Sequence, residues 1–226
     1  MCKLIGVVLG LLLSVGVCVA DNESYIPSDE SILGGFGGGI QPMVYYHPSL
    51  SKLNYHLNRE GFCPIKGVYG MGGTSRWSFN QNYSVGITGA GFWGTSDNTS
   101  DSGTVSEAAL GGGYCMLLGA YRIPMGEWWS VIVGAGVGRV GAGYELLTTN
   151  GTGSNVSLIR AGGSNWMGQV FVEGAYRIKG VFGIGFDVAY TLGKIDEIKR
   201  GGKTASYLQE IDLSGVMIRV GPRFHF

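Results

Sequence analysis

The alternation of apolar and polar positions is sharpest over residues 182–193. Phe182, Ile184, Phe186, Val188, Tyr190 and Leu192 fall on one side, and Gly183, Gly185, Asp187, Ala189, Thr191 and Gly193 on the other. A period of two marks a strand with one apolar face. The same period runs through residues 211–226, where Val216, Ile218, Val220, Phe224 and Phe226 oppose Met217, Arg219, Gly221, Arg223 and His225. It recurs in residues 83–95, where Tyr83, Val85, Ile87 and Trp93 oppose Ser84, Gly86, Thr88 and Ala90. Alternation alone suits a soluble antiparallel sheet equally well. The decision rests on the number of strands and on what joins them.

The pattern predicts eight strands, over residues 33–46, 65–77, 83–95, 105–122, 128–147, 165–178, 181–192 and 211–226. The connections alternate between long and short. The short ones fall at Asn80-Gln81-Asn82, around Pro124 and Gly126, and at Lys179-Gly180; the long ones include the polar runs 96–103, 148–163 and 193–208. The first long connection carries the one predicted helix, over residues 49–60. Leu50, Leu53 and Leu57 share a face there, with Ser49 as candidate N-cap and Gly61 as candidate C-cap.

The final Phe226, with Phe224, Val220 and Ile218 at alternate positions before it, resembles the assembly signal of bacterial outer-membrane β-barrels. Pro222 departs from that pattern, since proline lacks the N–H a ladder needs. Together with the even strand count, the resemblance implies an all-β fold: an eight-stranded antiparallel up-and-down transmembrane β-barrel with one short helix in the first long loop, similar to the OmpA and OmpX transmembrane type. Long connections then lie outside the cell and tight turns in the periplasm. The resemblance also implies outer-membrane lipid as surroundings, and transient partners in the outer-membrane assembly machinery and periplasmic chaperones.

A repeat supports this register: Gly119-Ala120-Tyr121-Arg122-Ile123 returns as Gly174-Ala175-Tyr176-Arg177-Ile178, each copy just before a short turn. Tyr121 and Tyr176 then belong to an inner aromatic girdle, with Trp128 or Trp129 nearby. Leu110, Tyr114 and Leu118 share a parity that would turn Tyr121 inward, and a bulge at Gly111-Gly112-Gly113 would reconcile them.

The start of the chain reads as a targeting segment. Lys3 precedes an apolar run from Leu4 to Val17, and Cys18-Val19-Ala20 supplies small residues for cleavage after Ala20. The expected organisation is a signal peptide at 1–20, a periplasmic leader at 21–32 and the barrel at 33–226. Cys18 as a lipidated residue would need a small residue before it, and Val17 stands there. Removal of the segment leaves Cys63 and Cys115, for which a disulfide is chemically allowed in an exported protein. Two unpaired cysteines fit the sequence equally well.

Composition narrows the function. The 226 residues carry 16 basic and 16 acidic side chains, which argues against nucleic acid as a partner. Glycine numbers 42 with no triplet period, so collagen is excluded, and 12% aromatic residues oppose disorder. Gly136, Gly138 and Gly141 match a dinucleotide motif only superficially, since no helix pattern follows. His47 and Ser49, with Glu60 nearby, are a weak candidate for a hydrolytic set, because a capped turn explains them as well. No Cys or His cluster has metal-site spacing, and no cofactor is implied. No enzyme is expected.

The inward faces carry Gln169, Glu173, Arg177, Asp187, Arg219 and Arg223. An Arg or Lys facing lipid at mid-depth costs ~2–4 kcal/mol, so a paired charge network inside the lumen is the cheaper arrangement. The expected role is structural or surface interaction. The alternatives are a narrow channel for small solutes and an exported soluble lipocalin-like barrel that binds an apolar ligand.

Overall fold

The computed structural model describes residues 36–79, 82–99, 104–125, 128–149, 156–200, 203–204 and 210–225. The expected signal peptide, the leader, the first residues of the predicted first strand and Phe226 lie outside that set. Eight long strands form the fold: β1 (Phe36–Pro48), β2 (Val68–Ser78), β3 (Tyr83–Thr99), β4 (Val105–Pro124), β5 (Trp129–Thr149), β6 (Val156–Lys179), β7 (Phe182–Ile195) and β8 (Gly215–His225). Each pairs antiparallel with its neighbour in sequence, and β8 returns to pair with β1. The sheet is therefore closed, and full closure leaves no edge strand. The short turns define the inner end of the barrel and the long connections the outer end. The β6–β7 turn needs only Gly180 and Val181, and Gly180 meets it with a φ of 55°.

The outward face is an apolar belt between two aromatic rings. At the inner end Tyr83 packs on Tyr121, Trp129 on Tyr176 and Phe182 on Phe224, with ring centroids 5.0, 4.7 and 5.5 Å apart. Towards the outer end stand Tyr45 against Tyr69, Trp93, Trp166 and Tyr190, all exposed. Tyr83 to Trp93 on β3 and Tyr176 to Trp166 on β6 both span ten residues. At ~3.3 Å per residue and a tilt of ~40°, that is about 25 Å along the barrel axis, the height of the apolar band of an outer-membrane barrel. Val85, Ile87, Leu117, Val137, Val170, Ile184 and Phe186 fill the interval and are exposed. Apolar residues outside are the reverse of a soluble ligand-binding barrel.

Of the three prolines of the closing seam, Pro48 ends β1 opposite Gly215, and Pro42 and Pro222 sit where the ladder is interrupted. The β1–β8 register slips between Gly39 and Met43, and the β1–β2 register slips between Gln41 and Val44. Pro42 lies in that bulge, with both it and Met43 facing outward. Pro222 keeps its partner Ile184 on β7 but has none on β1. The missing N–H is thus tolerated without disturbing the inward parity of Arg219 and Arg223.

Two strand expectations are corrected. Residues 156–163, read as linker because of their Gly and Ser content, belong to β6, whose ladder to β5 is continuous from Val156 to Tyr176, and residues 96–99 and 148–149 likewise extend β3 and β5. The anticipated bulge at Gly111-Gly112-Gly113 is absent, since β4 pairs without slippage to both neighbours. Leu110, Tyr114 and Leu118 point into the barrel instead, and Tyr121 points out as the girdle requires.

The helix α1 (Ser51–Arg59) is shorter than predicted. Its N-cap is Leu50, not Ser49, whose N–H is drawn 2.7 Å from the Ser214 carbonyl. The C-terminus follows the sequence closely. Gly61 adopts φ 85°, its N–H reaches the Asn58 carbonyl, and the Phe62 N–H reaches the Leu57 carbonyl at 2.8 Å. This is a Schellman motif, completed by burial of both Phe62 and Leu57.

Candidate functional site

The lumen divides into two halves. In the outer half the inward residues are apolar: Tyr46, Phe92, Leu110, Tyr144, Leu146 and Met217 are all buried. Leu50, Leu53 and Leu57 of α1 join them, together with Ile65, Ile195, Ile211 and Leu213. Inward residues at an open mouth would be wet, yet Ile195, Ile211 and Leu213 are fully buried. The helix and the segment around Ile211 therefore seal the outer end. Asn54 fastens α1 to Ile65 through both amide atoms at 2.9 Å, and Lys52 and Lys194 both pair with Glu210.

Towards the inner end the inward residues become polar. Arg219, 1% exposed, donates from Nε to Asp187 Oδ1 at 2.7 Å, and from Nη1 to Tyr114 Oη at 3.1 Å. The Tyr114 hydroxyl lies 3.2 Å from Met217 Sδ, so it joins the charge network to the apolar half. Gln41 links Asp187 to Thr74, and Thr74 meets Thr88 at 3.0 Å. One step further in, Glu173 receives Arg223 Nε on one oxygen at 2.5 Å and Arg76 Nη2 on the other at 2.6 Å. Arg223 Nη2 also stands 3.6 Å from Asp187 Oδ2, which joins the two clusters. Strand pairing sets this geometry, since Asp187 lies opposite Arg219 on β8 and Glu173 on β6.

Glycines make the room. A Cβ at Gly185 would stand 2.5 Å from Arg223 Nε, and one at Gly39 would stand 2.6 Å from its Nη1. Beyond the network, at the inner end, lies a cavity of about 60 Å³ bordered by Arg76, Asn82, Ser84, Arg122, Glu173 and Arg223.

Of the sequence-derived lumen residues, Glu173, Asp187, Arg219 and Arg223 come together in one network. Arg177 does not join their ion pairs; it is half-buried near the inner turn, where its N–H bonds the Trp128 carbonyl. Gln169 is also buried but makes none of their ion pairs or hydrogen bonds. Of the terminal signal, Ile218, Val220 and Phe224 face away from the lumen on β8, and Phe226 lies outside the described residues. Sequence reasoning missed Arg76, Gln41, Thr74 and Tyr114. The signal for Arg76 was present on β2, where Tyr69, Met71 and Trp77 share the outward parity and leave Thr74 and Arg76 inside.

Cys63 and Cys115 are free. The Cys63 carbonyl accepts from Ser96 Oγ, and Ser96 pairs with Ala108, seven residues of β4 away from the outward-facing Cys115. At ~3.3 Å per residue that is about 23 Å, against the ~4.4–6.8 Å between Cα atoms that a disulfide needs. His47, Ser49 and Glu60 are all exposed, and among the described residues no hydrogen bond joins them.

No protein-family model matches the chain, and no curated protein matches it in sequence. Among solved structures it is similar to the outer membrane protein OprG from Pseudomonas aeruginosa, with a TM-score of 0.55 and 14% identity over 86% of this chain and 96% of that one. The chain has the fold of the small outer-membrane β-barrels. The outer membrane protein AlkL, solved in lipid bilayers, aligns with a TM-score of 0.46 and 16% identity over 91% of this chain and 97% of that one. The outer membrane protease OmpT from Escherichia coli aligns with a TM-score of 0.37 and 9% identity over 91% and 99%. At these identities the likeness is one of fold. What an outer-membrane barrel of this type does is decided by its own lumen and loops.

Proposed function

We propose that the chain is a closed outer-membrane barrel with a structural or surface-interaction role, and that it conducts no solute. The carrying observation is the sealed outer half, in which α1 and Ile211 to Leu213 cover a buried apolar interior. The external shape supports the same reading. Above Trp166, β6 continues outward to Val156, and β5 continues past Arg139 to Thr149. Roughly ten residues of β5–β6 ladder at ~3.3 Å each thus rise beyond the outer girdle. The exposed faces there carry Arg139, Glu145, Arg160 and Ser164, a surface suited to contact outside the cell.

The reading brings further elements. The segment 1–20 acts as a signal peptide cleaved after Ala20, the assembly machinery and periplasmic chaperones are transient partners, and no catalytic step is assigned. The test is conductance in a planar bilayer, with liposome uptake of small amino acids and sugars beside it. A silent barrel is expected, with conductance appearing only when deletion of residues 49–62 is combined with loss of the inner ion pairs. Steady conductance by the intact chain would overturn the reading in favour of a channel.

A further inference from the structure

The network at the inner end leaves a surplus of donors with one sign of charge. Glu173 occupies Arg223 Nε and Arg76 Nη2. Arg223 Nη1, Arg76 Nε and Arg122 Nε are buried atoms with no hydrogen-bond partner, and all three side chains border the same cavity. Arg223 as a whole is only 3% exposed. Buried charged donors without acceptors are costly, so they call for an occupant. Three arginines against the single Glu173 leave two positive charges uncompensated, and the neighbouring Asp187–Arg219 pair adds no net charge.

The backbone is shaped to the same end. Gly37 and Gly38 border the cavity, and Gly39 and Gly185 leave the space in which the Arg223 guanidinium lies. The five-residue repeat has a matching consequence. Arg122 and Arg177 occupy equivalent positions of the repeat, each just before an inner turn. Neither has a carboxylate partner among the described residues. A volume of about 60 Å³ exceeds the ~10–15 Å³ that admits one water and suits a compact ion rather than an extended solute.

We propose that this cavity binds a small free oxyanion of the phosphate or sulfate class, held by Arg76, Arg122 and Arg223. Guanidinium N–H groups present forked donors to tetrahedral oxygens, and a dianion matches the two uncompensated charges. The sealed outer half makes the site a dead end reached from the periplasmic side, so binding is distinct from conduction. Glu173 holds two of the arginines in place and at the same time competes with the anion for their charge.

The test is isothermal titration of the full chain, folded in a maltoside detergent, with inorganic phosphate at neutral pH. Folding of every variant is confirmed by the boil-sensitive shift in gel mobility. Saturable one-to-one binding that weakens as chloride is raised is expected. Arg122→Gln alters a half-exposed residue outside the core ion pairs and should weaken binding by about tenfold or more, the loss of one charge-assisted contact. Glu173→Gln should strengthen it, an opposite sign that a merely structural cluster would not produce. Arg139→Gln, on the exterior, should leave it unchanged. A water-soluble phosphodiester headgroup, singly charged, should bind about tenfold more weakly than phosphate. No saturation, or saturation indifferent to Arg122→Gln, would overturn the site. Equal binding of the phosphodiester would overturn the free anion and give the site to a lipid headgroup.

Discussion

The two halves of the lumen are built by opposite means. The outer half is closed chiefly by shape, with Leu53, Leu57, Tyr46, Leu110 and Leu213 packed together in its interior. The inner half is closed by charge, with Asp187, Glu173, Arg76, Arg219 and Arg223 arranged so that each carboxylate meets two arginines. Packing is forgiving in identity and strict in volume. A buried ion network is strict in identity, because removing one member leaves its partner charged and desolvated. The difference places stability in both halves but specificity chiefly in the inner one.

Removing one charge is the harshest way to break that comparison. Asp187→Ala strands Arg219 in the barrel centre and should destabilise the fold by ~3–5 kcal/mol, measured as a lower urea midpoint for loss of the folded gel band. Replacing both partners, as Asp187→Leu with Arg219→Met, should recover most of that loss. A double variant as unstable as the single would show that shape, not charge, governs the inner half too. The matching test of the outer half is Leu57→Ala, whose truncation should cost ~2–5 kcal/mol. Because Leu57 lies in α1, that loss should appear as faster hydrogen exchange in the helix, with the inner strands still protected.

The fold was legible where an aromatic residue fixed the outward side. Tyr83, Trp93, Tyr176 and Phe182 mark the faces of their strands, and the β7 alternation follows the observed burial throughout. Legibility failed where the interior is apolar too. On β4 the inward Leu110, Tyr114, Met116 and Leu118 are as oily as any lipid-facing set, while the outward side is Gly111, Gly113, Cys115 and Leu117. Hydrophobicity there reports burial inside the barrel rather than contact with lipid. The charged part of the site was readable because a lone Asp or Arg in an alternating strand has only one affordable side. Arg76 escaped because the glycines of β2 thin its pattern, and the length of β6 escaped because Gly162, Gly163 and Ser164 resemble a loop. Which loop segments fold back to seal the mouth depends on long-range packing that no local pattern records.

Smaller perturbations sharpen the boundary between the halves. Gly134 faces Phe171, and a Cβ there would stand 2.6 Å from the ring and 2.5 Å from the Gly119 carbonyl oxygen. Gly134→Ala should therefore destabilise by about 1–3 kcal/mol through overpacking, read as a lower melting temperature in detergent. The Arg76 guanidinium lies over the same Phe171 ring, 5.2 Å from its centroid, so phosphate titration provides a second readout, which should weaken modestly as Arg76 shifts.

The smallest effect concerns how the outer seal is tied down. Glu210 accepts Lys194 and Lys52, and these contacts, that from Lys194 first, hold its carboxyl below the usual carboxylate range. A depressed pKa in the folded state means that the stabilisation is fully present above the ordinary value of ~4.3 and is lost as pH falls through the depressed one. The group is exposed, so salt screens it and the contribution is slight. Protease nicking within residues 49–62 should accordingly rise below about pH 4 in the native chain, and high salt should raise it at neutral pH. Glu210→Gln should show the raised rate at every pH, with no step. Nicking that stays flat with pH and salt in the native chain would mean that the seal is held by contact alone, and the division between a half closed by shape and a half closed by charge would then extend to the outermost loop.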